Sequence, residues 1–352
     1  MEEGFNKDNT LVCKGIAIIL MVVHHLFWNV PDIGISINGI ALSQRIGVIG
    51  KVCVSVFLML SGFGLYKGSK GKFKKKEFYI KRLSKLYFNY FFIVITSSIV
   101  GLCFFRDIFL KSFPNHGIIR FLLNCTGLQH LVGYQGINSS WWFITEIMIC
   151  YFFYPLFLKL IKKYKWKFVI FTFVLSFIEL IPIGNITSII AWACPFIIGI
   201  ALAEDNTLDK IKCYVSEKNI HYLLVVLLLL VVCYIRQIGA MDNVYMFKVD
   251  YLLSFLLMIV VYLGYGKVKF IERFFVYFGK RSMDIFYVHM FIGNYFLKDF
   301  TYSLGSPILM CLFVIIASLI WSYILDFVRK LIKFNSSINY LQERMNNIKI
   351  AA

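Results

Sequence analysis

Apolar residues run in long, nearly unbroken blocks along this chain, with polar residues gathered into short clusters between them. Blocks lie near 12–30, 46–66, 86–105, 141–158, 168–183, 186–203, 220–238, 249–266, 282–298 and 305–328. Each approaches the roughly 20 residues of helix that cross a ~30 Å hydrocarbon layer. Backbone groups in lipid must be satisfied internally, so the pattern predicts an all-α polytopic membrane protein of about ten transmembrane helices. In the longest outer loop, 106–140, the apolar "IIRFLLNC" is expected to form a re-entrant or interfacial helix.

The polar clusters orient these helices. With both termini cytoplasmic, 29 of the 37 Lys and Arg fall on the inner side, as positively charged loops prefer. The other eight (Arg45, Lys51, Arg106, Lys111, Arg120, Arg236, Lys248, Lys298) fall outside or near outer helix ends. Residues 1–11 are then a cytoplasmic segment, 12–330 a transmembrane domain and 331–352 a cytoplasmic tail. No internal repeat is visible, which weighs against transporters built from duplicated halves.

Composition narrows the class further. With 59% hydrophobic residues and only 16% charged, the chain has too little polar surface for a soluble globule. The net charge of +18 is explained by the inner loops, so no nucleic-acid partner is expected. The start is acidic-leaning (Glu2, Glu3, Asp8) and no small-residue site follows the first block, so no cleavable signal is expected. The nine cysteines are scattered without CxxC spacing and read as packing residues, with no metal site.

Ionisable residues inside the apolar blocks carry the candidate chemistry. In "CKGIAIILMVVHHLFW", His25 follows Lys14 by eleven positions and lies only about 20° from its helical face, whereas His24 points roughly 80° away. The rise of about 16 Å puts His25 near mid-membrane, beyond the reach of snorkelling. Ser61 and Gly62 end the second block, where they suit close helix packing or a cavity floor. Arg82 and Lys85, one turn apart at the cytoplasmic mouth of the third, suit an anionic lipid headgroup or the phosphates of a nucleotide-like donor. Glu146 lies a turn below the interfacial Trp141 and Trp142 and needs a partner, whether a sugar hydroxyl, a base or His25. Ser282 and His289 share a face of the ninth block, and Glu179 and Arg236 are further polar intrusions that suit interhelical pairs.

Five of these stretches, taken in order, resemble the acyltransferase 3 family of integral-membrane O-acyltransferases: the Lys14–His25 spacing, "VSVFLMLSGF", "KRLSKLYFNY", "WWFITEIMICYFFYPL" and "GKRSMDIFYVH". Lys14 and Lys85 stand where that family more often has Arg, and Phe88 where it has Pro. The resemblance implies a plasma-membrane enzyme with no permanently bound cofactor. Such an enzyme moves an acyl group, usually acetyl, from cytoplasmic acyl-CoA to a hydroxyl of an envelope polysaccharide or lipid-linked sugar. His25 and Glu146 would then be catalytic, and Lys14, Arg82 and Lys85 would bind the donor. His24, Ser61, Ser282 and His289 would support them. The residue pattern leaves room for two rivals, a transporter or flippase for a polar lipid-linked substrate and a non-catalytic sensor.

Overall fold

The computed structural model describes residues 4–28, 33–37, 39–70, 74–113, 117–180, 185–215, 219–238 and 244–347; the side chain of Glu179 lies outside them. Sixteen helices are formed there: α1 (Lys7–Phe27), α2 (Leu42–Gly50), α3 (Cys53–Ser69), α4 (Lys75–Phe104), α5 (Arg106–Lys111), α6 (Gly117–Thr126), α7 (Trp142–Tyr164), α8 (Trp166–Leu175), α9 (Asn185–Glu204), α10 (Thr207–Val215), α11 (Asn219–Ile238), α12 (Val244–Gly264), α13 (Lys269–Met290), α14 (Lys298–Ser303), α15 (Pro307–Leu331) and α16 (Phe334–Asn347). The one sheet among the described residues is a hairpin of Ser36–Ile37 with Ile40–Ala41.

The molecule is an all-α polytopic membrane protein. Eight helices among the described residues are long and apolar enough to cross a bilayer, α2 and α3 together making one of them. Two of the ten expected spans take other forms. Residues Trp166–Ile178 make a shorter apolar helix. In α13 the stretch before Ser282 carries Lys269, Glu272, Arg273, Lys280 and Arg281, and the mainly apolar stretch begins only after Asp284. The apolar stretch expected to be re-entrant or interfacial forms the short helix α6, which exposes Ile118, Ile119 and Leu122 and buries Asn124 and Cys125.

The basic clusters meet at one end of the bundle. There Lys67 Nζ donates to Asn206 Oδ1 (2.8 Å), Tyr262 Oη to Asp209 Oδ1 (2.7 Å) and Tyr265 Oη to Asp8 Oδ2 (3.2 Å). This is the end that the charge rule assigns to the cytoplasm. Helix α1 starts there with a reciprocal cap. Asn6 Oδ1 accepts from the amides of Asp8 and Asn9, and Asn9 Oδ1 accepts from the amide of Asn6, so otherwise orphaned donors are paired.

Two parallel helix pairs form the centre, and glycines set how closely they approach. A Cβ added at Gly15 would run into the carbonyl of Phe275, and one at Gly279 into that of Leu11, so α1 and α13 touch backbone to backbone. The same reciprocal arrangement joins α3 to α9, where Gly62 faces the Phe196 carbonyl and Gly199 that of Met59. Proline in α9 is compensated: the Ala191 carbonyl, which Pro195 leaves without its helical donor, accepts from Tyr251 Oη at 2.9 Å.

Several charges inside the bundle are paired. Arg236 Nε lies 2.8 Å from Asp250 Oδ1, joining α11 to α12 with both side chains fully buried. This is the interhelical partner that the sequence left open for Arg236. At the basic end Arg329 holds both oxygens of Asp284 (2.7 and 3.0 Å), and Arg281 pairs with Asp326, fastening α13 to α15.

Candidate active site

The α1–α13 contact continues from Gly15 and Gly279 to the opposite end, where it carries two histidines. The rings of His25 and His289 lie 5.1 Å apart, tilted by 42°. His289 is buried, and its Nδ1 donates to the carbonyls of Ile285 (3.1 Å) and Phe286 (2.9 Å). Facing only acceptors, Nδ1 carries the proton of the neutral ring. Nε2 is therefore left with its lone pair, buried and without a hydrogen-bond partner among the described residues.

A six-residue π-turn, Phe291–Phe296, follows α13 directly. Its wider turn brings Asn294 Nδ2 within 3.0 Å of the His25 carbonyl and Tyr295 Oη within 3.0 Å of the Ser139 amide. Such turns are often found at functional sites, where they re-aim side chains without breaking the helix. Ser139 leads into Ser140, whose amide and hydroxyl both donate to Asn138 Oδ1 (3.0 and 2.7 Å). Asn138 Nδ2 and Trp141 Nε1 donate in turn to the Tyr287 carbonyl, each at 3.2 Å. The segment entering α7 is thus tied to α13 on the turn before His289.

His25 and Ser140 share a small cavity with Lys51, Phe57, Trp142 and Phe143. Its free space for water-sized molecules, about 30 Å³, holds one or two of them. Lys51 enters from the junction of α2 and α3, with Nζ 5.3 Å from the Trp142 ring centre, 5.7 Å from Phe247 and 5.9 Å from Trp192. Aromatic faces favour an ammonium away from bulk water. By charge distribution Lys51 counts among the cations outside or near outer helix ends. Yet it lies inside the second apolar block, and a lysine there is itself a signal of a site.

The other expected residues divide. His24 also borders the cavity, but its Nδ1 pairs with the Gly47 carbonyl at 2.8 Å and its ring stacks on Trp28. Ser282 donates to the Gly279 carbonyl of its own helix (2.9 Å) and sits two turns before His289, so the two are not brought together. Glu146 is fully buried, with the Cys150 thiol 3.8 Å from Oε1, and is not among the residues lining the cavity. Lys14 is half-buried eleven residues before His25 on the same helix, about 16 Å away by rise, too far for contact.

Arg82 and Lys85 are exposed at the basic end. An Arg82 Nη nitrogen lies 3.6 Å from where a Cβ on Gly68 would stand. From Gly68 the same face of α3 carries Ser61, beside the Tyr151 hydroxyl, and then Phe57 in the cavity wall. On α7 the matching positions are Tyr154, Tyr151 and Phe143. Polar groups between α3, α4 and α7 therefore lead from the basic end toward His25 over about 16 Å. At the opposite end, outside the membrane-spanning helices, His130 packs against Trp142, and burial holds its imidazole below the usual histidine value.

Comparison with known proteins decides the class. Residues 12–327 match the model of an acyltransferase domain, acyltransferase 3. The chain belongs to that family. No curated protein and no solved structure shows a significant match. As a member of the acyltransferase 3 family, with eight apolar helices of spanning length among its described residues, the chain is a multi-pass membrane acyltransferase.

Proposed function

We propose that this acyltransferase moves an acyl group, acetyl being the first choice, from cytoplasmic acyl-CoA to a hydroxyl of an envelope polysaccharide or lipid-linked sugar, at the plasma membrane. The observation that carries this reading is the His25–His289 pair beside a small cavity shared with Lys51. Arg82, with Lys85 a turn further along α4, would receive the CoA phosphates at the basic end, and the thioester arm would follow the polar faces of α3 and α7 inward. Lys14, too far to touch His25, would act on the donor from the cytoplasmic half. Glu146, Ser61, Ser282 and His24 would hold the walls.

In this mechanism neutral His25 takes the proton of the acceptor hydroxyl as its oxygen attacks the thioester carbonyl carbon. The resulting tetrahedral oxyanion is stabilised by the Lys51 ammonium, whose charge is strong in a water-poor site. The C–S bond then breaks, the ester carbonyl re-forms, and the His25 proton passes to the departing CoA sulfur. His289, its Nδ1–H fixed by two carbonyls, offers Nε2 as the acceptor that steadies the transient imidazolium.

The test uses purified protein, labelled acetyl-CoA and a panel of glycan acceptors, comparing wild type with His25→Ala, His24→Ala and Lys51→Met. His25→Ala is expected to lower transfer by about 10²- to 10⁴-fold, Lys51→Met by about 10²-fold, and His24→Ala far less. Equal activity in wild type and His25→Ala would sink the mechanism. Absence of transfer from any acyl-CoA, with accumulation of a lipid-linked glycan across vesicles, would favour a flippase. Labelled acyl-histidine in an acid-quenched reaction would make His25 an acyl carrier instead of a base.

A further inference from the structure

At the end of the bundle opposite the basic loops, α5, α6 and residues 132–136 enclose an open cleft of about 810 Å³. Its walls hold Lys111, Ser112, Arg120 and Tyr134. Cations are scarce at this end, and two of the eight outer or near-outer Lys and Arg converge here against the trend that draws such residues inward. Neither Lys111 nor Arg120 enters an ion pair among the described residues. Arg120 is instead laid over the Tyr134 ring, its Cζ 5.2 Å from the centre, and Tyr134 Oη donates to the Ser112 carbonyl at 2.8 Å. The guanidinium is thereby positioned without its charge being neutralised.

The cleft floor carries two glycines. Gly133 and Gly136 both have φ of +74°, where a side chain would be strained, and a Cβ at Gly136 would strike Asn124 Oδ1. Asn124 Oδ1 also accepts from the Ile137 amide at 3.2 Å. Four residues beyond Gly136 the same strand of chain reaches Ser140, which lines the His25 cavity. One short, anchored segment therefore borders the outer cleft at one end and the histidine site at the other.

We infer that this cleft binds the acceptor, and that the acceptor is an anionic glycan whose carboxylate or phosphate is held by Arg120 and Lys111 while a sugar ring packs on Tyr134. The inference rests on the acyltransferase reading for the word acceptor, but the binding site stands on the cleft alone. A guanidinium offers two parallel donors to a carboxylate or phosphate, and an aromatic face suits the apolar face of a pyranose.

Binding is measured with no acyl donor present, on the full chain in nanodiscs of zwitterionic lipid. Three probes of matched length separate the sources of charge: a uronic-acid tetrasaccharide, a glycerol-phosphate oligomer and a neutral glucan. At least one charged probe is expected to bind about tenfold or more tighter than the glucan, and to weaken as salt rises. Arg120→Gln combined with Lys111→Gln should remove that preference, and Arg120→Lys should restore part of it. A melting temperature equal to wild type confirms that each variant is folded. Equal affinity for charged and neutral probes overturns the inference, as does undiminished charged-probe binding in the double variant. Failure of every saccharide to bind while anionic lipid competes for the cleft also overturns it, in favour of a membrane contact. If the charged probe binds but no acyl-CoA supports transfer, the functional reading falls and the cleft remains.

Discussion

Two polar pairs lie buried in the apolar part of this protein, and they are built on opposite plans. Arg236 and Asp250, between α11 and α12, meet charge to charge at 2.8 Å with both side chains sealed from solvent. His25 and His289, between α1 and α13, meet ring to ring at 5.1 Å; one nitrogen of His289 is committed to backbone carbonyls and the other is left open, and His25 borders a cavity. In hydrocarbon an unmatched charge is costly, so a pair whose charges cancel is framework even though Arg236 Nη1 has no hydrogen-bond partner among the described residues. A pair that keeps an acceptor unused beside an open space retains the capacity to move a proton.

The comparison breaks if the ion pair turns out to be chemical or the histidine pair merely structural. The largest expected effect is on the ion pair. Asp250→Asn leaves Arg236 buried without its counter-charge and should cost about 3–5 kcal/mol of stability, read by thermal unfolding in detergent. Turnover per folded molecule should be retained, and Arg236→Met with Asp250→Leu should recover most of the stability. Next, His289→Gln should leave the unfolding temperature near wild type and lower kcat by about 10- to 10²-fold, measured with labelled acyl-CoA. A loss of stability with kcat unchanged would make His289 framework as well.

The smallest effect sharpens the contrast with exposed charge. Hydrogen bonding from Lys210 (2.8 Å) holds the Asp205 carboxyl below its usual value at the basic end. A lowered carboxyl adds stability above its unfolded-state pKa, and that stability is lost as pH falls through the lowered value. Asp205→Asn should therefore reduce stability slightly at pH 7, by less than about 1 kcal/mol, and by nothing once the wild-type carboxyl is protonated. Unfolding temperatures of both proteins across that range check the sign.

Much of this organisation is written locally. Block lengths and the bias of Lys and Arg are properties of neighbouring residues, and they mark the helices and the basic end. Helical phase separates His25 from His24 without any knowledge of the partner helix. What stayed hidden depends on contacts far apart in sequence. Nothing near His25 says that a residue 264 positions later completes the pair, and Ser282 shares the face of His289 yet spends its hydroxyl on Gly279. Lys51 is visible in the sequence as a cation near a helix end and no more, because the aromatic rings around it come from α7, α9 and α12. Glu146 is legible as a carboxylate in an apolar run, but its sequence neighbours do not say what it faces; on its own helix the Cys150 thiol lies 3.8 Å from Oε1.

The reciprocal glycine crossings have a mechanical consequence. Helices in backbone contact have no side-chain layer on which to slide, and separating them would open voids along the whole crossing. Helices α1 and α13 therefore move as one beam, and α3 and α9 as another. The histidine cavity, with room for only a water or two, is walled by both: His25 belongs to the first beam, Phe57 to the second. If the proposed acyl group reacts at His25, a swing or shear of one unit against the other would widen this space for it. Substitutions along the seam between the two beams should then alter entry to the cavity without touching the side chains of His25 and His289.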